Sequence, residues 1–318
     1  MSGNLRYPQS VLDKCPPEIC RQIFLFACSD DGSSGRSLSL VSKRVHDISR
    51  VVKLHSLAIV GFPQFFGCAT MLANIRPEDR RVHHLFVSNV PQYDRPDPTM
   101  GSPGNTSRSA LHEHTANAYR AFKQILSLVA PTLQTFTFVF HIPRPSIILP
   151  VSLPHLQHLT LYGPLSTRVD PATKNQQFPA LQTLELVHFE TYPPDFIEDI
   201  GNCAPALKEL ILKPAWASPT LHNDIMASLH RPPGATNPII GGSTLAQGNL
   251  PPTLDYVYIM AGQKPLFAHG HLARETHRSM LKRVCLMART DTRVKALQPV
   301  KLIDLSSTKA DWLKSDSQ

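Results

Sequence analysis

No apolar run in the 318 residues approaches the roughly 18–20 that a membrane-crossing helix needs. The opening MSGNLRYPQS has no charged stretch leading into an apolar one. Neither a membrane span nor a secretory leader is expected, and the chain is predicted to be cytoplasmic or nuclear. Charge is scarce: 18% of residues carry one, against about 25% in an ordinary globular protein. Cysteine is sparse and scattered, at positions 15, 20, 28, 68, 203 and 285, mostly among apolar residues. In a reducing compartment such residues act as small hydrophobes, not as a disulfide framework.

The signatures of common catalytic chemistry are missing as well. No Gly-x-x-x-x-Gly-Lys-Ser/Thr cradles a phosphate, since IIGGSTLAQG (239–248) has glycines but no lysine. No Gly-x-Ser-x-Gly presents a nucleophile. The histidines fall in close pairs, His83/His84, His112/His114, His155/His158 and His269/His271, without a second cluster of Cys, Asp or Glu at zinc-finger spacing. They read as solvated surface histidines. No catalytic residue, metal or cofactor is expected, and the chain is not expected to be an enzyme.

Proline, by contrast, is abundant: 29 residues, where the usual ~5% would give about 16. That many prolines break a chain into short elements and argue against long helices or coiled coils. Between them runs a repeat. LPHLQHLTL (153–161) recurs as FPALQTLEL (178–186) and APALKELIL (204–212), with the frame apolar-x-x-apolar-x-apolar. The frame fits eight segments, whose first and last apolar residues are Leu54/Ile59, Val82/Val87, Leu133/Phe138, Leu156/Leu161, Leu181/Leu186, Leu207/Leu212, Leu254/Ile259 and Leu281/Leu286. First positions lie 28, 51, 23, 25, 26, 47 and 27 residues apart. A period in the twenties with this pattern resembles leucine-rich repeats, in which each unit adds one short strand and returns through a helix or irregular segment.

The expected fold is α/β, a curved solenoid of short parallel strands over residues 53–318. Helical returns are predicted at 65–75, 114–129, 195–203, 223–230 and 274–284. The two long gaps predict a degenerate unit or an insertion, near 91–117 and 214–250. Within them, 91–110 and 232–252 are loop-like in composition, and Asn105-Thr106-Ser107 is read as an ordinary polar loop despite its glycosylation spacing.

In each frame, the residue before the middle apolar position, the one after it and the one after the last should form the outward sheet face. Of those 24 positions only Glu185, Glu209, Lys213 and Arg283 are charged, and they cancel. Net charge is +8 and residues 274–301 are basic, yet a face that grips phosphates should itself be basic. A neutral face carrying Phe86, Tyr162, Ile211, Tyr256, Tyr258 and Met260 suits a protein target, unless loops or the C-terminal tail cover it. Nucleic-acid binding is the less favoured reading, and the basic stretch is read as a solvated helix face.

Residues 1–52 precede the first frame and form a separate helical module. Ile19, Ile23 and Phe26 fall at helical spacing behind Pro17 and Glu18, and Leu38, Val41, Val45 and Ile48 do so after a Ser/Gly break. So few helices bury too little surface to fold alone, so they must dock on the first repeat or on another protein. CPPEICRQIFLFAC (15–28) with SLSLVSKRVHDI (37–48) resembles an F-box, most closely the F-boxes of basidiomycete fungal proteins in which leucine-rich-repeat-like units follow. The resemblance covers residues 12–52. It implies a substrate receptor of an SCF-type cullin–RING ubiquitin ligase, docked on a Skp-type adaptor while the repeats hold a protein substrate. Carried over by position, Pro16, Pro17, Ile19, Ile23 and Phe24 match the first F-box helix, and Leu40, Val41, Val45 and Ile48 the later adaptor-facing stripe. Cys15 and Cys20 stand where the family has Leu, and Val45 where many members have Trp. A protein-interaction scaffold that joins no ligase is the alternative.

Overall fold

In the computed structural model the described residues are 11–89, 108–140, 149–165, 177–230, 249–263, 270–298, 308–310 and 312–313. Four short helices come first: α1 (Val11–Lys14), α2 (Pro17–Ala27), α3 (Ser33–Leu38) and α4 (Lys43–Ser49). Local chemistry sets their ends. Pro17 opens α2, where a missing N–H costs nothing. The Asp30 carboxylate accepts from the N–H groups of Gly32 (2.9 Å) and Ser34 (2.9 Å) at the start of α3. Ser42 caps α4 by accepting from Val45 N–H at 3.2 Å.

Eight strands follow: β1 (Ser56–Val60), β2 (His84–Ser88), β3 (Thr135–Val139), β4 (His158–Tyr162), β5 (Thr183–Val187), β6 (Glu209–Lys213), β7 (Tyr256–Met260) and β8 (Val294–Leu297). They form one all-parallel sheet in which spatial order equals chain order. Helices α5 (Phe62–Asn74), α6 (Arg108–Val129), α7 (Phe196–Cys203), α8 (Pro219–Leu229) and α9 (Gly270–Thr290) lie in the connections, over the five segments predicted to be helical.

The repeat frame becomes register. Its middle apolar residue stacks strand to strand as Leu57, Leu85, Phe136, Leu159, Leu184, Leu210 and Val257, and its last as Ile59, Val87, Phe138, Leu161, Leu186, Leu212 and Ile259. Both ladders face one core with helix residues such as Phe65, Phe122, Ile200, Ile225 and Val284. Phe122 stacks on Phe138 at 4.8 Å between centroids. Each buried Leu or Phe contributes roughly 1.5–3 kcal/mol, and in-register stacking adds these across the whole sheet.

Polar groups are aligned too. The carbonyls of His55, His83, Gln134, Gln157, Gln182 and Lys208 each accept two N–H groups from the start of the next strand, at 2.8–3.1 Å. The exposed edge of β1 is blunted, because Val60 N–H donates to the Gln64 side chain at 2.9 Å.

Two expectations change. The eighth frame, Leu281/Val284/Leu286, lies on α9, not on a strand. Met280, Val284 and Met287 are its buried residues, at helical steps of four and three, while Leu281 and Leu286 are exposed. The true eighth strand begins at Val294. Among the described residues the long gaps add no strand to this sheet, since β2 pairs directly with β3 and β6 with β7. The first gap instead carries the 22-residue α6 and the second carries α8. Segments 91–107 and 232–248 of the loop-like stretches lie outside the described residues. Among the described residues no helix is long and apolar enough to cross a membrane.

Candidate functional site

Two surfaces stand apart from the main core. The first is on α2–α4. These helices enclose their own small cluster of Cys20, Phe24, Cys28, Val45 and Val52, with Cys15, Leu38 and Ile48 against it. Arg44 donates to the Cys15 carbonyl at 2.6 Å, tying α4 to the turn before α2. Burial, with Asp30 nearby, pushes the Cys28 thiol up to about 11, so it stays a neutral packing group.

Beyond this cluster, a second set of large apolar side chains points out. Phe26 is 81% exposed and Leu40 87%, and Ile19, Ile23, Leu25 and Val41 are also exposed. Pro16 and Pro17 are exposed at the helix start. Of the nine predicted adaptor-facing residues, the outward ones are therefore Pro16, Pro17, Ile19, Ile23, Leu40 and Val41. Phe24 and Val45 are corrected to interior positions, where they support the surface, and Ile48 is half-buried beside them. Cys20 also faces inward, so it takes nothing from the outer surface. Phe26 joins the patch; its position seven residues after Ile19 already placed it on that face.

Gly35 joins these helices to the sheet. A Cβ there would lie 2.3 Å from the Lys53 carbonyl oxygen, so α3 sits against the strand-entry backbone at a distance only glycine allows.

The second surface is the sheet face turned away from the helices. Its rows follow from the register: Ala58, Phe86, Thr137, Thr160, Glu185, Ile211, Tyr258 and Lys295 run across the middle. Arg283, Cys285 and Met287 leave the predicted face because they belong to α9. A parallel sheet rarely leaves a whole face to water, and here the two ends differ. Over β1–β5, Phe86, Val139, Tyr162 and Val187 are buried beneath Trp312, which is itself 5% exposed. Phe86 and Tyr162, expected to be open, are thus covered, and Met260 is buried as well. At the other end Tyr256 is exposed and Ile211 and Tyr258 partly so. There Lys295 lies over the Tyr256 ring at 5.6 Å, and Lys213 pairs with Glu185.

A histidine cluster lies at the strand entries. His55 sits 4.7 Å from His83 and 4.9 Å from His84, ring to ring, and His84 Nδ1 is 2.7 Å from Thr135 Oγ1. Burial, reinforced by the neighbouring imidazoles, pulls His55 and His84 down to about 4. His83 is lowered too, by burial and by Arg81. The expectation of solvated surface groups fails for this pair, because the direct pairing of β1 with β2 puts them beside His55. Among the described residues no three His, Cys, Asp or Glu side chains converge as metal ligands. The arginines and lysines of α9 are exposed on a helix surface. No known protein-family model and no curated protein matches the chain.

Proposed function

We propose that this chain is a substrate-recognition adaptor of an SCF-type cullin–RING ubiquitin ligase. Its N-terminal helices act as an F-box docking on a Skp-type adaptor, and the sheet of a leucine-rich-repeat-like solenoid receives a protein target. The observation that carries the reading is the apolar surface that α2–α4 and the turn before α4 leave exposed. Cys20, Phe24, Cys28, Val45 and Val52 fill the interior, while five further large apolar side chains, Ile19, Ile23, Phe26, Leu40 and Val41, stand in solvent. Each such side chain left wet forgoes roughly 1.5–3 kcal/mol, a loss that a partner surface recovers. Of these, Ile19, Ile23, Leu40 and Val41 fall at positions where the F-box resemblance sets adaptor contacts.

The sheet face favours a protein over a nucleic acid. Its charged residues Glu185, Glu209, Lys213 and Lys295 cancel, and its open end carries Tyr256, Tyr258 and Ile211.

Co-expression with a Skp-type adaptor tests the proposal. A stable complex is expected with the wild-type chain and none with Ile23→Asp or Leu40→Asp. Absence of a wild-type complex sinks the ligase reading and leaves the same patch as the contact surface of a non-ligase scaffold.

A further inference from the structure

The covered end of the sheet face has the anatomy of a filled binding site. Ala58, Val60, Phe86, Val139, Tyr162 and Val187, contributed by β1–β5, line an apolar socket. Into it Trp312 inserts, its ring centroid 5.4 Å from that of Phe86, with Leu313 alongside; residues 308–310 and 312–313 are helical. Three residues earlier, Lys309 Nζ reaches Asp31 Oδ2 at 2.6 Å. Residues three apart share one side of a helical turn, so the segment makes a two-point contact: an aromatic anchor in a pocket and a paired cation at its rim. Tryptophan is among the residues that most often anchor protein recognition surfaces in well-packed, desolvated pockets.

The surface beneath does not depend on the segment for its own construction. β1–β5 are paired with one another by complete parallel ladders. The core that holds them lies on the opposite face and does not include Trp312.

We propose that this socket is a recognition site for a helical segment of the form Lys-x-x-Trp-Leu, filled in cis by Lys309, Trp312 and Leu313. A target carrying the same cation and aromatic anchor enters by displacing it. The inference deepens the reading above that the sheet face receives a protein target. The internal segment then sets a threshold, since only the fraction of molecules with an open socket can bind and the apparent affinity falls by that fraction.

The test uses the full chain and a fluorescein-labelled peptide, SSTKADWLKSD, copying residues 306–316. Fluorescence anisotropy should show saturable binding to Trp312→Ala, binding at least ten-fold weaker to wild type, and loss of binding when Asp31→Lys is added. The peptide with alanine for its tryptophan should not bind. Equal affinity for wild type and Trp312→Ala, or no binding to a folded variant, overturns the proposal. A second arm leaves Trp312 in place. In a Trp216→Phe chain, Trp312 is the sole tryptophan, and excess unlabelled peptide with Phe for Trp should shift its emission to the red. No shift at saturating peptide overturns the proposal even if Trp312→Ala does not fold. Adaptor co-expression is read separately, so failure of either idea leaves the other result standing.

Discussion

Lys309 Nζ lies 2.6 Å from Asp31 Oδ2, closing a contact across 278 positions of chain. It links the C-terminal segment to the loop that leads into α3, and that loop also meets the sheet edge, where the Asp31 carbonyl accepts from Ala58 N–H at 3.4 Å. The Lys309 ammonium holds the Asp31 carboxyl below its ordinary value against the opposing effect of burial, with Ser33 helping. The folded-state value is thus below the unfolded one of about 3.9. The stabilisation is complete at neutral pH and is lost as pH falls through the folded value. Emission of Trp312 in a Trp216→Phe chain should therefore move red on acidification below about pH 4. Asp31→Asn should remove this acid step. Both side chains of the pair are partly solvated, so that substitution should cost only about 0–1 kcal/mol, less at high salt.

Neighbouring residues on α2 should behave oppositely. Phe24 fills the small helical core while Ile23 faces solvent. Phe24→Ala should cost roughly 3–5 kcal/mol in urea unfolding followed by helical circular dichroism. Ile23→Asp should stay within about 0.5 kcal/mol of wild type. A large loss for Ile23→Asp would place Ile23 in the core and remove the patch.

Two glycines should answer to alanine with opposite signs. Gly35→Ala drives a methyl into the Lys53 backbone and should destabilise by about 1–3 kcal/mol. Gly67 is inside α5, and a Cβ there meets nothing within 4 Å. Gly67→Ala should stabilise by about 0.5–1 kcal/mol through helix propensity. Thermal melts of the two variants decide it.

The histidine cluster predicts a second pH dependence. His55 and His84 stand at about 4 in the folded chain, against about 6.5 when unfolded. Between those values the unfolded state binds more protons, so stability should fall as pH drops from about 6.5 to about 4. His83, His158 and Arg81, which also face the cluster, oppose any added positive charge there. Replacing His55 and His84 together with asparagine should flatten that part of a melting-temperature profile. An unchanged slope would show that these imidazoles protonate freely in the folded state.

Much of the architecture was legible because a parallel strand repeats one short apolar frame. Seven of the eight frames became strands in consecutive order, since each can bury its inward residues only beside its neighbour. The eighth misled because Leu281, Val284 and Leu286 satisfy the strand frame while Met280, Val284 and Met287 satisfy a helix, and a lone frame of three apolar residues does not separate the two periods. The same ambiguity arose on α2 and α4, where apolar residues occupy more than one side. Periodicity marked Phe24 and Val45 as apolar positions, but only packing showed that they turn inward while Ile23 and Leu40 turn out.

The sequence by itself determined seven of the eight strand positions, the alternation that separates core from face, and the presence of helices ahead of the sheet. These are local properties, set by spacing along the chain. Tertiary structure alone decided which part of the face is open. Nothing near Phe86 or Tyr162 in the sequence announces Trp312, and nothing near Asp31 announces Lys309. Those contacts join distant parts of the chain through a surface that exists only once β1–β5 are assembled.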